Sequence, residues 1–293
     1  MLKNKKILVT GGAGFIGSHL CQALSEHNEV TSLDNYSTGT EGNHVLGVEY
    51  HNANTKDIAK VFEGTNYKPD IIYHLGEYSR VEQSFDDIER VWDSNKNGTF
   101  AVLEYVRKTG AKLIYSGSST KFADDGIGKD QSPYAWTKST NTELVNNYSN
   151  WFGINFAITY FYNVYGDREI STGKYATLIG LFKEKTLANE KLTVVLPGTQ
   201  HRNFTHIKDI ISGLVIVGEN GEGDGYGIGS DQSYSIIQVA EMFARDYGMI
   251  EYLPERAGNR MGGTVMSDKT KALGWSEQHN LYGYVNELFT NNI

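Results

Sequence analysis

Short runs rich in apolar and β-branched residues recur through the first half of the chain. They cover residues 7–9, 29–34, 48–51, 71–75, 112–116 and 155–160. Stretches of helical character separate them: 18–27, a segment starting at Thr55, 86–109 and 133–151. The stretch 86–109 carries Val91, Trp92, Phe100, Val102, Leu103 and Val106, with Asn95 set among them, and Gly110 stops it. Pro133 suits the first turn of the helix that follows. Strands alternating with helices predict a parallel sheet covered on both faces, with ligands at the carboxyl ends of its strands. Beyond Gly166 the pattern changes. Helical segments at 174–187, 207–219, 235–246 and 281–290 alternate with short strands and long polar loops. The expected fold is α/β, a doubly wound parallel sheet with a smaller α/β C-terminal lobe. The sheet domain is assigned to 1–164 plus 207–230, and the lobe to 165–206 plus 231–293.

The first strand runs into Thr10-Gly11-Gly12-Ala13-Gly14-Phe15-Ile16-Gly17. Each of three glycines has a task in a strand–turn–helix of this kind. Gly11 permits the bend, Gly14 lets backbone amides approach a pyrophosphate, and Gly17 lets helix and strand pack closely. The helix dipole then favours the phosphate charge. Asp34 ends the second strand twenty residues past Gly14, where a carboxylate can accept from both adenosine ribose hydroxyls. A 2′-phosphate would meet that negative charge, and no arginine follows directly to receive it. The sheet is therefore expected to be of Rossmann type, with NAD rather than NADP as its cofactor.

Composition narrows the picture. A chain of 293 residues holds one large or two small domains. A net charge of −8, with no basic cluster beyond residues 3–6, argues against a nucleic-acid surface. No apolar run is long enough to span a bilayer, and no signal-peptide pattern precedes the first strand. The single cysteine, Cys21, fits a reducing compartment and reads as packing in the first helix. The histidines lack metal-ligand spacing. A cytoplasmic protein without a membrane partner, nucleic acid or metal is expected.

Tyr134 and Lys138 stand four apart at a helix start, on one face. A phenol ordinarily holds its proton too tightly to act as a base at neutral pH. A nearby ammonium, helped by an oxidised nicotinamide, stabilises the phenolate. Such a tyrosine can take a proton from an alcohol while hydride leaves the same carbon. A hydroxyl must also hold the reacting oxygen, and residues 116–120, expected just past a strand end, offer Ser118.

The order of these pieces resembles an extended short-chain dehydrogenase/reductase of the sugar-nucleotide epimerase/dehydratase family. Matching stretches lie at 33–35, 74–76, 95–99, 132–138, 163–166, 202–204 and 272–275, nearly the whole length. The resemblance implies Tyr134 as the base, Lys138 as the residue holding the nicotinamide ribose, and Ser118 on the reacting hydroxyl. It implies a cofactor site at Gly11, Gly14, Phe15, Ile16, Gly17, Asp34, Asn35, Ser37, Asn54, Thr55, Leu75, Gly76, Asn95 and Ser116, together with Tyr134 and Lys138. Asn54 stands where the family usually has an aspartate near the adenine. Asn163, Arg202 and Arg256 are implied to hold the nucleotide diphosphate of the substrate, whose charge suits guanidinium forks. Arg168 and Arg260 are further candidates.

There are departures from the family pattern. Lys121-Phe122-Ala123 replaces Val-Tyr-Gly, and the loop between Ser118 and Tyr134 is short. Small residues usual after the fourth strand are replaced by Glu77-Tyr78-Ser79-Arg80. Glu77 and Arg80 are expected either to bring charge to the reacting sugar or to pair with each other. No acid follows Ser118, which disfavours dehydration, and the cysteine is in the wrong helix for ring-carbon ionisation.

Oxidation at C4 of a nucleotide-diphosphate sugar remains. The chain also resembles bacterial capsule-pathway enzymes that oxidise C4 of GDP-heptoses. A 4-dehydrogenase is the expected activity. A 4-epimerase that retains NADH is the alternative, and a non-catalytic dinucleotide-binding protein lies outside that class. Helices 86–109 and 133–151 resemble those of the family's dimer interface, so a homodimer is expected.

Overall fold

In a computed structural model, which describes residues 2–122, 128–244, 246–255 and 264–291, six strands of the first half form a parallel sheet. They are β1 (Lys6–Thr10), β2 (Glu29–Asp34), β3 (Val48–Asn52), β4 (Ile71–His74), β5 (Lys112–Ser118) and β6 (Phe156–Phe161). Four short strands follow: β7 (Val164–Tyr165), β8 (Leu192–Val195), β9 (His201–Asn203) and β10 (Thr205–His206). A later strand, β11 (Gly223–Ile228), joins the sheet as its seventh member, giving the order β11-β6-β5-β4-β1-β2-β3. The chain reverses its direction of growth at β1, so a crevice opens between the carboxyl ends of β1 and β4. This is the Rossmann-type arrangement expected.

Alternate side chains of each strand enter opposite layers, as a period of two requires. Ile7 and Val9 join a cluster with Leu20, Ile210 and Leu214, whereas Leu8 joins one with Val102, Leu103 and Val145. The first cluster is covered by α1 (Phe15–Ser25) and α7 (Ile207–Asn220). The second is covered by α4 (Gly98–Thr109) and α5 (Pro133–Phe152). Cys21 is fully buried in the first cluster, and burial pushes its thiol up to about 12, which suits packing rather than chemistry. A third cluster gathers Phe182 of α6 (Leu178–Leu187), Val194, Phe243 of α8 (Ile236–Phe243) and Leu281 of α10 (Leu281–Asn291). Around it, β12 (Ser233–Ser235) pairs with β9, and β13 (Ile250–Leu253) with β8.

Some boundaries differ from expectation for local reasons. Helix α1 begins at Phe15, not residue 18, because Gly14 itself serves as the extended N-cap. Strand β5 runs two residues further, so Ser118 closes the strand instead of following it. The predicted helix 86–109 starts at α3 (Ile88–Val91) and passes through a π turn, Trp92–Asn97, before α4. Such a turn frees backbone groups for other partners. No helix among the described residues is long and apolar enough to cross a membrane.

Candidate active site

The glycine turn after β1 is shaped by close backbone approach. Gly11 has φ +75°, and a Cβ there would lie 2.9 Å from the Gly76 backbone. A Cβ on Gly17 would lie 2.0 Å from the Gly11 carbonyl oxygen. Gly14 caps α1 without any side-chain hydrogen bond, leaving first-turn N–H groups for a ligand anion. Asp34 supports the turn: Oδ2 accepts from the Ala13 N–H at 2.9 Å and Oδ1 from the Tyr36 N–H at 2.8 Å. Burial pushes the Asp34 carboxyl above its ordinary range, against the pull of these backbone bonds. Asn35 donates to Asn54 Oδ1 at 2.7 Å, placing both beside the turn, and the Ser37 N–H bonds Asn35 Oδ1 at 3.1 Å.

A cavity of about 600 Å³ runs from this turn to the ends of β5 and β6. Every residue expected at the cofactor lines it except Asn95. The glycines, the open helix terminus and the carboxylate fit a dinucleotide with free ribose hydroxyls.

At the other end of the cavity stand Ser118, Tyr134 and Lys138. The hydroxyl of Ser132 caps α5 by accepting from the Ala135 N–H at 3.1 Å, which starts the helix just ahead of Tyr134. Ser118 Oγ and Thr120 Oγ1 are 2.9 Å apart, so the serine hydroxyl is oriented before any substrate arrives. Lys138 has a side chain only 4 % exposed, and its Nζ bonds the Ser116 carbonyl and the Glu77 carboxylate. It also sits 4.6 Å from the Tyr115 ring centroid.

Several expected positions behave differently. Asn95 is fully buried behind the cavity: Oδ1 accepts from the Tyr78 N–H at 2.7 Å, and Nδ2 donates to Thr137 Oγ1 at 3.1 Å. Its carbonyl, which also receives the Gly98 N–H at the end of the π turn, accepts from Asn141 at 2.7 Å. Asn95 thus ties the loop after β4 to α5. Glu77 and Arg80 do not pair with each other. The Glu77 carboxylate turns inward, accepting from Lys138, from Thr99 at 2.8 Å, from Asn141 at 3.1 Å and from Tyr115 at 3.2 Å. Arg80 lines the cavity and donates to the Tyr175 carbonyl through Nε at 2.9 Å and Nη2 at 2.6 Å.

Asn163 and Arg202 line the cavity, the first at φ +35° with its amide on the Asn203 carbonyl at 2.8 Å. Arg168 instead anchors on α1, bonding Gln22 Oε1 at 2.7 Å and Ser18 Oγ at 3.3 Å. Arg256 and Arg260 lie outside the described residues.

One feature of the mouth was not expected. Tyr78, Tyr175 and Lys174 all donate to the Asp87 carboxylate, at 2.9, 2.8 and 3.0 Å. Arg90 links Tyr175 Oη at 3.0 Å to the Ser37 carbonyl at 3.2 Å. The segment around Tyr175 is thereby strapped to the start of α3. Among so many tyrosines, nothing marks Tyr78 and Tyr175 as partners.

Comparison with known proteins agrees with this geometry. Residues 7–229 match the description "NAD dependent epimerase/dehydratase family". A putative UDP-glucose 4-epimerase from Methanocaldococcus jannaschii is 29% identical over 94% of this chain and 94% of its own. UDP-glucuronic acid decarboxylase 6 of Arabidopsis thaliana is 29% identical over 93% of this chain and 84% of its own. The crystal structure of UDP-glucose 4-epimerase with UDP-glucose from Thermotoga maritima has the same fold. It aligns with a TM-score of 0.89 at 24% identity, over 98% of this chain and 99% of that one.

Proposed function

We propose that this chain, which belongs to the NAD-dependent epimerase/dehydratase family, oxidises the C4 hydroxyl of a nucleotide-diphosphate sugar. The observation that carries this reading is the meeting of Ser118, Tyr134 and Lys138 in one cavity with the glycine turn and Asp34. Bound NAD supplies the acceptor for the hydride that leaves C4. The protein's own groups do the rest. Ser118, oriented by Thr120, holds the reacting oxygen. Tyr134, as phenolate, takes the hydroxyl proton as the carbonyl forms. Lys138 favours that phenolate and holds the nicotinamide ribose. Asn163 and Arg202, with Arg256, take the diphosphate, and the residues around them form the substrate lobe.

We read the product as a 4-keto sugar released by a dehydrogenase. GDP-heptoses, suggested by the sequence resemblance to capsule enzymes, are the first substrates to try. A specific observation favours a second reading, a 4-epimerase. The relative matched over 94% of both chains is named a putative UDP-glucose 4-epimerase. We also place the protein in the cytoplasm as a homodimer. Trp92, Phe100 and Trp136 leave 49%, 54% and 39% of their surface exposed on the long helices, and this apolar face suits a second copy.

The test is incubation with NAD and a panel of UDP-, dTDP- and GDP-sugars. A 4-keto product with stoichiometric NADH supports the dehydrogenase. A C4 stereoisomer without net NADH supports the epimerase. Binding of NAD with no turnover of any sugar contradicts both.

A further inference from the structure

We propose that Glu77 is the counter-ion and positioning residue of Lys138: its carboxylate fixes where the catalytic ammonium sits and sets the pH range in which Tyr134 works. The inference rests on the roles given above to Tyr134 and Lys138. An ammonium has three N–H donors. Glu77, in the loop after β4, and the Ser116 carbonyl, within the neighbouring β5, take two of them. One donor is left for the cofactor ribose.

The carboxylate is itself locked. Thr99, Asn141 and Tyr115 hold Oε1, and Lys138 holds Oε2. Thr99 is in turn held by His74 Nε2 at 3.0 Å, and His74 Nδ1 by Thr10 Oγ1 at 2.7 Å, at the edge of the glycine turn. A continuous buried chain therefore connects the turn that receives the cofactor to the lysine that holds it.

Stability alone does not account for this pair. A buried ion pair is often no more stabilising than well-packed apolar residues of the same volume. The Glu77 side chain is 3 % exposed, where the family pattern usually has a small residue. Burial would push its carboxyl up. The Lys138 ammonium, His74 and the hydrogen bonds from Lys138 and Thr99 outweigh burial and hold it below the ordinary range, so it carries its charge at neutral pH.

The described charged or titratable groups around this carboxylate are Lys138 on α5, His74 on β4, Tyr115 on β5 and, further off, Lys96 in the π turn. Tyr134 lies one helical turn from Lys138. Removing one negative charge makes each of these groups release its proton more easily. The pH range in which the site works must therefore move as a whole to lower pH when the Glu77 charge is removed.

The experiment has two arms. In the first, urea unfolding of the cofactor-free protein is compared for wild type, Glu77→Gln, Lys138→Met and the double variant. A counter-ion pair predicts that the double variant unfolds at higher urea than Glu77→Gln alone, because no buried ammonium is left unpaired. Strictly additive effects would overturn the pairing. The second arm is the pH–rate profile of Glu77→Gln on the sugar identified above. It should move to lower pH by about one unit or more, and Glu77→Asp should move it back toward wild type. A profile lowered in height but unmoved along the pH axis would overturn the positioning role. Should no sugar be turned over by wild type, the proposed function has failed. The pH dependence of NAD affinity then carries the same sign test, and an unmoved dependence in Glu77→Gln overturns the inference.

Discussion

The carboxylate of Asp34 grips the backbone N–H of Ala13 at 2.9 Å, tying the end of β2 to the glycine turn. One side chain thus shapes the turn and stands where the adenosine ribose arrives. Replacing it removes charge-assisted hydrogen bonds, each worth about 1.5–3 kcal/mol. Asp34→Ala should therefore bind NAD at least about ten-fold more weakly and lose most of its preference over NADP, as read by calorimetric titration. The raised carboxyl of Asp34 adds a sign. NAD affinity of wild type should fall on acidification at a pH above the ordinary aspartate value, because a protonated Asp34 accepts less well. An affinity flat through that range would count against the assignment.

Gly17 offers a steric test. A Cβ there would overlap the Gly11 carbonyl oxygen at 2.0 Å. Gly17→Ala should cost about 1–3 kcal/mol of stability by overpacking and abolish NAD binding. Gly42→Ala, whose nearest contact would be an ordinary 3.7 Å, is the control that should change neither. Thermal unfolding and NAD titration of both proteins decide it.

His74 predicts an acid instability. Burial, offset in part by Glu77, pushes its imidazole down to about 4. At a pH above 6.5 both folded and unfolded chains hold it neutral. Between 6.5 and about 4 the unfolded chain takes up a proton that the folded one refuses. Stability should drop by about 3 kcal/mol across that window, with His206, also pushed down to about 4, adding the same sign. Urea unfolding at a series of pH values should show the drop, and His74→Gln should flatten part of it.

The stacked Trp92 and Trp136, with ring centroids 5.8 Å apart, sit on the face assigned to the dimer. Sedimentation at micromolar concentration should give a dimer for wild type and a monomer for Trp92→Glu, with NAD binding kept. A wild-type monomer would remove this interface from the account.

What could be read from the chain follows from distance along it. The glycine turn, Asp34 and the Tyr134–Lys138 pair depend on neighbours within a turn or one strand–helix unit, so their spacing carries the information. Asn141, seven residues past Tyr134, shares that helix face, and the period alone could have marked it. Glu77 is different. Its partner, Lys138, is 61 residues away on α5, and only the folded chain brings that helix to the loop after β4. The link from Tyr175 to Asp87 spans 88 residues and has no local signature. Asn95, in the π turn, likewise meets Tyr78 and Asn141, 17 and 46 residues away, and no local spacing announces either contact.

The proposed redox chemistry stands on the Tyr134 hydroxyl. Tyr134→Phe removes one oxygen and keeps the ring. Mixed with NAD and the substrate sugar in a single turnover, this variant should bind NAD as wild type does while NADH absorbance fails to appear, a loss of at least about 100-fold in rate. NADH formation at the wild-type rate in Tyr134→Phe would contradict the account.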